Sequence, residues 1–217
     1  MLTVVPNIVV RERVIGSCLS LVKKGLIQGT GGNISVRTER GFLITPSGMD
    51  YDELVPDDIV EMDLNGAVIE GERTPSIERL MHLTILKMRP DVNAVVHTHS
   101  INATAVAAAR RSILPVTDNQ VAAFGGPIPV AEYAPIGTQR LALNAAAALG
   151  TRNGVLLANH GVVCVGANLG DALLRCEMAE SLAKIFLLTQ SIGGGVELAA
   201  DDVAAEADDL KNRYGQK

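Results

Sequence analysis

Apolar residues recur at helical spacing between Asn7 and Lys24, at Ile8, Val9, Ile15, Leu19 and Val22 with Arg11 among them, and Gly25 stops the run. This spacing predicts an amphipathic first helix. A glycine-rich loop follows, and then the period changes. Asn33 to Arg37, Gly41 to Thr45, Ile59 to Asp63 and Val68 to Glu70 read as short strands. Pro46-Ser47-Gly48 and Asn65-Gly66 separate them, the latter a hairpin turn signal. Thr74-Pro75-Ser76 opens a second helix running to about Met88, because a hydroxyl residue before proline is a start signal and Leu80, Leu83 and Leu86 keep a helical period. Pro90 ends it.

The second half is arranged differently. Asn93 to His97 predicts a strand, Ser100 to Arg111 an alanine-rich helix, and Ile113 to Asp118 and Ile128 to Val130 two strand-like runs. Thr138 to Leu149 reads as a helix, Val155 to His160 as a strand, and about Leu169 to Thr189 as the longest helix. Gly193-Gly194-Gly195 makes a flexible break before Asp201 to Arg213, which is polar enough for a surface helix. Early hairpins and late crossovers predict a mixed sheet covered by helices on both faces, a three-layer α/β/α arrangement. With no repeat or low-complexity linker to divide it, residues 1–217 read as one domain, with a mobile C-terminal segment over 193–217.

Composition narrows the classes. Hydrophobic residues are 47% of the 217, aromatics only 3%, so the core is expected to be aliphatic. Nineteen basic against twenty-four acidic residues give a net charge of −5, with no basic cluster of the kind that follows a nucleic-acid backbone. No apolar run approaches a membrane span, and the N-terminus lacks the order of a signal peptide, so the expected location is the cytoplasm, with neither nucleic acid nor membrane as partner. Cys18, Cys164 and Cys176 show no C-x-x-C spacing and read as buried small hydrophobes.

The candidate chemistry lies in His97-Thr98-His99, in His160 and in Glu78. Alternation along a strand points residues two apart the same way, so an H-x-H pair presents two imidazoles to one ion. A neighbouring strand ending at His160 can deliver a third imidazole, and Glu78 a fourth ligand. A lone histidine closing an apolar run is more often a satisfied structural residue, yet three of the chain's four histidines fall at strand ends. The set reads as a divalent-metal site of the zinc type, in which a carboxylate that can leave the metal also handles a proton.

A second piece of chemistry is Gln28-Gly29-Thr30-Gly31-Gly32-Asn33, where glycines let backbone N–H groups approach an anion and Thr30 and Asn33 add donors. It matches neither G-x-x-x-x-G-K-[ST] nor G-x-G-x-x-G. Thr45-Pro46-Ser47-Gly48 and Ser76, at the start of the helix bearing Glu78, share its donor-rich character. Three such turns beside a metal constellation suggest a small, anionic, oxygen-rich substrate.

In order and spacing, GTGGNISVR (Gly29 to Arg37), ITPSG (Ile44 to Gly48), PSIE (Pro75 to Glu78), AVVHTHS (Ala94 to Ser100) and NHGVV (Asn159 to Val163) resemble the class II aldolase/adducin family over roughly Val9 to Tyr214. The resemblance implies a three-layer α/β/α fold with a central mixed, mainly antiparallel sheet. It implies a cyclic homotetramer with active sites at subunit interfaces and a bound Zn²⁺, with Mn²⁺ or Co²⁺ as substitutes. On matching positions the ligands are Glu78, His97, His99 and His160. Asn33, Ser47, Gly48 and Ser76 hold the substrate phosphate, and Gly29 and Thr30 shape the loop.

Two positions depart from the family's aldolases. Ile77 stands where they have a second serine on the phosphate, and Asn119 where they have a tyrosine that donates a proton across the interface. Tyr214, near the C-terminus, is the candidate donor in its place. The implied activity is reversible, zinc-dependent cleavage of a ketose 1-phosphate of the fuculose, deoxyribulose or methylthioribulose type to dihydroxyacetone phosphate and an aldehyde, with Glu78 carrying the proton at the nucleophilic carbon. The alternative is a metal-dependent decarboxylase of a keto-acid phosphate, with an epimerase or dehydratase behind it. A non-catalytic head like that of adducin is disfavoured because all four ligand positions are kept.

Overall fold

The computed structural model describes residues 7–213. The first helix, α1 (Ile8–Lys23), leads through the glycine loop into four antiparallel strands, β1 (Asn33–Arg37), β2 (Phe42–Ile44), β3 (Val60–Met62) and β4 (Val68–Glu70). Helix α2 (Arg79–Met88) crosses to β5 (Ala94–Thr98), followed by α3 (Ile101–Ala108), α4 (Asp118–Phe124), β6 (Val130–Ala131) and α5 (Gln139–Leu149). A hairpin of β7 (Gly154–Leu157) and β8 (Gly161–Gly166), the long α6 (Leu169–Gln190) and α7 (Ala200–Arg213) complete the chain.

One eight-stranded sheet results, in the order β4-β3-β2-β1-β5-β8-β7-β6. Every neighbouring pair is antiparallel except β6 with β7, so the sheet is mixed and mainly antiparallel. Alternation along the strands sorts the side chains into two cores. Ile34, Val96, Val162 and Cys164 face α1, α3 and α6, where Val14, Val106 and Cys176 meet them. Val95, Val155, Val163 and Val165 face the opposite way, onto Met81, Ile85 and Leu86 of α2 and Leu141 and Ala145 of α5. Both layers are mainly aliphatic, with Phe42 in one and Tyr51, Phe124 and Phe186 in the other. Each buried Val, Leu or Ile contributes about 1.5–3 kcal/mol relative to exposure.

Several elements depart from the sequence pattern. Helix α2 begins at Arg79 instead of near Ser76, because the preceding residues are bonded elsewhere: Ser76 N–H donates to the Thr45 carbonyl at 3.0 Å and Ser47 N–H to the Thr74 carbonyl at 2.9 Å. Ile113 to Asp118 is not a strand; Ile113 makes one isolated bridge to Ile128, and Asp118 opens α4. The run expected as one strand to His160 ends at Leu157, turns through Ala158-Asn159-His160, and returns as β8. Strand β8, like β5 and β7, is buried at every position, which removes the alternation that marks a half-exposed strand. Helix α3 stops at Ala108, and Arg110 takes φ 54°, which no helix accommodates. The three cysteines are free and buried, and no described helix is long and apolar enough to cross a membrane.

Candidate metal centre

Strand register assembles the centre. Val95 and His97 share the face of the sheet that carries α2, and Asn33 is the direct cross-strand partner of His97. Glu78 sits just before the first residue of α2, and its helix lies on that same face. His99 follows the end of β5, and His160 occupies the turn between β7 and β8, where Asn159 takes φ 57° and Asn159 N–H donates to the Ala107 carbonyl. Left-handed backbone at an asparagine is tolerated, and here it turns the next residue toward β5. One ligand atom each from Glu78, His97, His99 and His160 lies within 4.8 Å of all the others.

Hydrogen bonds fix the orientation of these groups. His97 Nδ1 lies 3.0 Å from the Val162 carbonyl oxygen, so it carries the proton and donates, and Nε2 is left facing the cluster. That Nε2 lies 2.9 Å from His99 Nε2 and 3.1 Å from Glu78 Oε2. His160 Nε2 lies 3.6 Å from Glu78 Oε1. Burial pushes His99 and His160 down to about 4, helped in each case by the charge of His97 and opposed by Glu78. His97 is lowered by burial but raised more by the facing Glu78 carboxylate and the Val162 carbonyl, ending above the ordinary value. Burial alone would raise Glu78; the charge and hydrogen bond of His97, with His160 and Asn33, bring it well below the usual carboxylate range.

A divalent cation fits this donor set. Glu78 Oε1 and both ring nitrogens of His160 are buried with no hydrogen-bond partner. Leaving such atoms unpaired costs about 1–3 kcal/mol each, and a cation bound by one carboxylate and three imidazoles removes that cost for Oε1 and for one His160 nitrogen. Three nitrogens and a carboxylate are the borderline-soft donors that suit Zn²⁺ and its first-row neighbours.

The expected anion-binding turns lie nearby. The glycine loop packs against the ligand strand: a Cβ on Gly31 would come within 2.9 Å of His99 Nδ1, and one on Gly32, at φ 72°, within 2.6 Å of the His97 carbonyl oxygen. Only glycine fits at Gly32. Gly29 and Thr30 are exposed at the loop's tip. An isolated bridge between Pro46 and Pro75 brings Ser47 and Gly48, both exposed, beside Ser76, whose Oγ accepts from Glu78 N–H at 3.2 Å. The Asn33 side chain is buried and engaged with Glu78 and His82. Ile77 is 57% exposed and packs on Gly137. Asn119, on α4, lines a cavity of about 540 Å³ together with Asp171, Arg175 and Glu206. Tyr214 lies outside the described residues.

Sequence reading passed over three supports. His82, the fourth histidine of the chain, stands one helical turn after Glu78 on the same face. Ser35 stands two residues after Asn33 on one face of β1, where it meets His82. The Tyr51 hydroxyl donates to the Gly32 carbonyl at 2.7 Å, with the Gly31 carbonyl oxygen 3.1 Å away, and braces the loop. The 3.6 and 2.0 periods could have revealed the first two; nothing local marks Tyr51.

The chain belongs to the class II aldolase and adducin family, as the Class II Aldolase and Adducin N-terminal domain matches it over residues 12–187. It is an enzyme of the metal-dependent aldehyde-lyase class. It is 41% identical to the L-fuculose phosphate aldolase of Escherichia coli K12 over 205 residues, 94% of each chain. It is also 40% identical to the 5-deoxy-D-ribulose 1-phosphate aldolase of Bacillus thuringiensis serovar kurstaki over 210 residues, 95% of this chain and 97% of that one. A solved L-fuculose 1-phosphate aldolase superposes with a TM-score of 0.91 at 39% identity, covering 96% of this chain and 98% of the other. The three-layer α/β/α fold expected from the sequence is that of these neighbours.

Proposed function

We propose that this enzyme reversibly cleaves a ketose 1-phosphate, of the fuculose, deoxyribulose or methylthioribulose type, to dihydroxyacetone phosphate and an aldehyde. The observation that carries the reading is the convergence of Glu78, His97, His99 and His160, with unpartnered buried donor atoms, beside a glycine loop. These four residues would hold Zn²⁺, which when bound would supply a Lewis acid to the substrate. Gly29, Thr30 and Asn33, Ser47 and Gly48, and Ser76 form three turns around the phosphate, which backbone N–H groups and hydroxyls bind as a dianion. Glu78 moves the proton to or from the nucleophilic carbon through Oε1, the oxygen without a protein donor. Tyr214 donates the proton to the aldehyde oxygen. The chain works as one domain in a homotetramer with sites at subunit interfaces, in the cytoplasm; its family membership supports that assembly.

The deciding experiment presents the purified zinc-loaded enzyme with ketose 1-phosphates and keto-acid phosphates, scoring dihydroxyacetone phosphate and carbon dioxide separately. Dihydroxyacetone phosphate from a ketose 1-phosphate, with competitive inhibition by inorganic phosphate and by phosphoglycolohydroxamate, is the expected result. Release of carbon dioxide alone moves the reading to decarboxylation. Tyr214→Phe is expected to lower cleavage by about 10²-fold or more while sparing metal content and proton exchange; an unchanged cleavage rate removes Tyr214 as the donor.

A further inference from the structure

From Glu78 Oε2 a buried chain of polar groups runs between β1 and α2. Asn33 Nδ2 donates to Glu78 Oε2 at 3.0 Å, Asn33 Oδ1 faces His82 Nε2 at 2.5 Å, and His82 Nδ1 faces Ser35 Oγ at 2.7 Å. His82 and Ser35 are fully buried, and Asn33 and Glu78 are each 4% exposed, so water does not compete for these bonds.

The proton arrangement follows from donor and acceptor inventory. An ionised Glu78 can only accept, so the Asn33 amide must turn its NH₂ toward Oε2 and its oxygen toward His82. That oxygen can only accept, so His82 must carry its proton on Nε2. Burial keeps the imidazole uncharged, pushing it down to about 3 with help from the charge of His97 against the pull of Glu78. The bare Nδ1 then accepts from the Ser35 hydroxyl. Each group has one orientation that satisfies its neighbours, and the alternative amide orientation would set oxygen against oxygen at Glu78 and NH₂ against N–H at His82.

From this geometry we infer that His82, locked by Ser35, is a positioning residue: it fixes the Asn33 amide, which pins Glu78 Oε2 beside His97 and leaves Oε1, on the His160 side, without a hydrogen-bond partner. The chain's consequence is a differentiated carboxylate. Oε2 is held between Asn33 and His97, and Oε1, buried with no hydrogen-bond partner, keeps its lone pairs for a cation or a proton. The backbone explains how the parts meet. Asn33 and Ser35 are two apart on β1 and so share the face toward α2, and His82 is four residues after Glu78, on the same side of that helix. This inference rests on the proposed role of Glu78 but not on the identity of the sugar.

The test compares His82→Gln, whose amide nitrogen falls near the place of Nε2, with His82→Asn, whose amide reaches only the place of Nδ1. Two quantities are read for each: Co²⁺ affinity, from competition with a chelator followed by the cobalt absorption bands, and exchange of the dihydroxyacetone phosphate proton with solvent. Loss of an outer partner of a metal site costs about 10- to 100-fold. His82→Asn is expected to lose about that much in both readouts, and His82→Gln to stay within about threefold of the parent. Equal losses in the two variants, or parental values in His82→Asn, overturn the inference, since a merely structural histidine would not distinguish which nitrogen is kept. Should His82→Asn fail to fold, Ser35→Ala decides: unlocking the imidazole is expected to cost about threefold or more in both readouts, and parental values overturn it. If the parent enzyme exchanges no proton, the substrate reading falls while the cobalt comparison still decides this one.

Discussion

Among the four clustered residues, each imidazole is held in a different way. His97 is fully buried with its tautomer set by the Val162 carbonyl, whereas His160 has neither ring nitrogen bonded. His97→Ala, His99→Ala and His160→Ala are each expected to weaken zinc binding by well over about tenfold, since a ligand matters more than an outer partner. Zinc content after gel filtration checks this, and a variant retaining full metal removes that residue from the ligand set. Glu78→Gln keeps the shape and can still accept the Asn33 amide, so the fold and weakened metal binding are expected to survive. Exchange of the dihydroxyacetone phosphate proton is expected to fall by about 10²-fold or more. Exchange at the parental rate in that variant would show that Glu78 does not move the proton.

At the scale of elements, the site depends on close backbone approach. The glycine loop leaves α1 and enters β1 directly opposite His97, and Gly32 at φ 72° is the point of contact. Gly32→Ala places a methyl group 2.6 Å from a main-chain oxygen in a conformation that L residues rarely adopt. A loss of more than about 1 kcal/mol is expected, and with it a fall in Tm of about 2–4 °C or more. A thermal melt of metal-free protein measures it directly; an unchanged Tm would mean that loop and strand separate at no cost. The bridge between Pro46 and Pro75 plays a similar part for Ser47 and Ser76, two segments nearly thirty residues apart that reach one rim through main-chain bonds.

For the molecule as a whole, the buried histidines predict how stability responds to acid. His82, His99 and His160 are displaced from 6.5 down to about 3, about 4 and about 4. A depressed folded value means that the unfolded chain binds the proton first, so stability is complete above pH 6.5 and is lost as pH falls toward those values. His97, raised above 6.5, works in the opposite sense, gaining as pH falls through its folded value. Three groups against one give a net loss on acidification. The metal-free protein is therefore expected to show a lower urea midpoint at pH 4.5 than at pH 7.5. Equal midpoints would mean that these imidazoles are not held neutral by burial. A bound divalent cation would strengthen the trend, because it needs the same lone pairs that protons take.

The residues of the centre were legible without coordinates because metal chemistry restricts residue type sharply and strand alternation restricts spacing: His97-Thr98-His99, Glu78 and His160 need only those two rules. The layered fold followed from periodicity wherever one face of an element stays wet, as in α1 and α5. Local pattern failed where tertiary burial erased it. Strand β8, covered on both faces, shows no alternation. Helix α2 starts late because main-chain bonds to the segment around Pro46, thirty residues earlier, outcompete the helix signal at Thr74-Pro75-Ser76. The polar chain from Ser35 through His82 and Asn33 to Glu78 belongs wholly to the tertiary structure. It requires β1 and α2 to pack face to face, a contact that no window of sequence contains, and only that packing excludes the water that would otherwise satisfy each group separately.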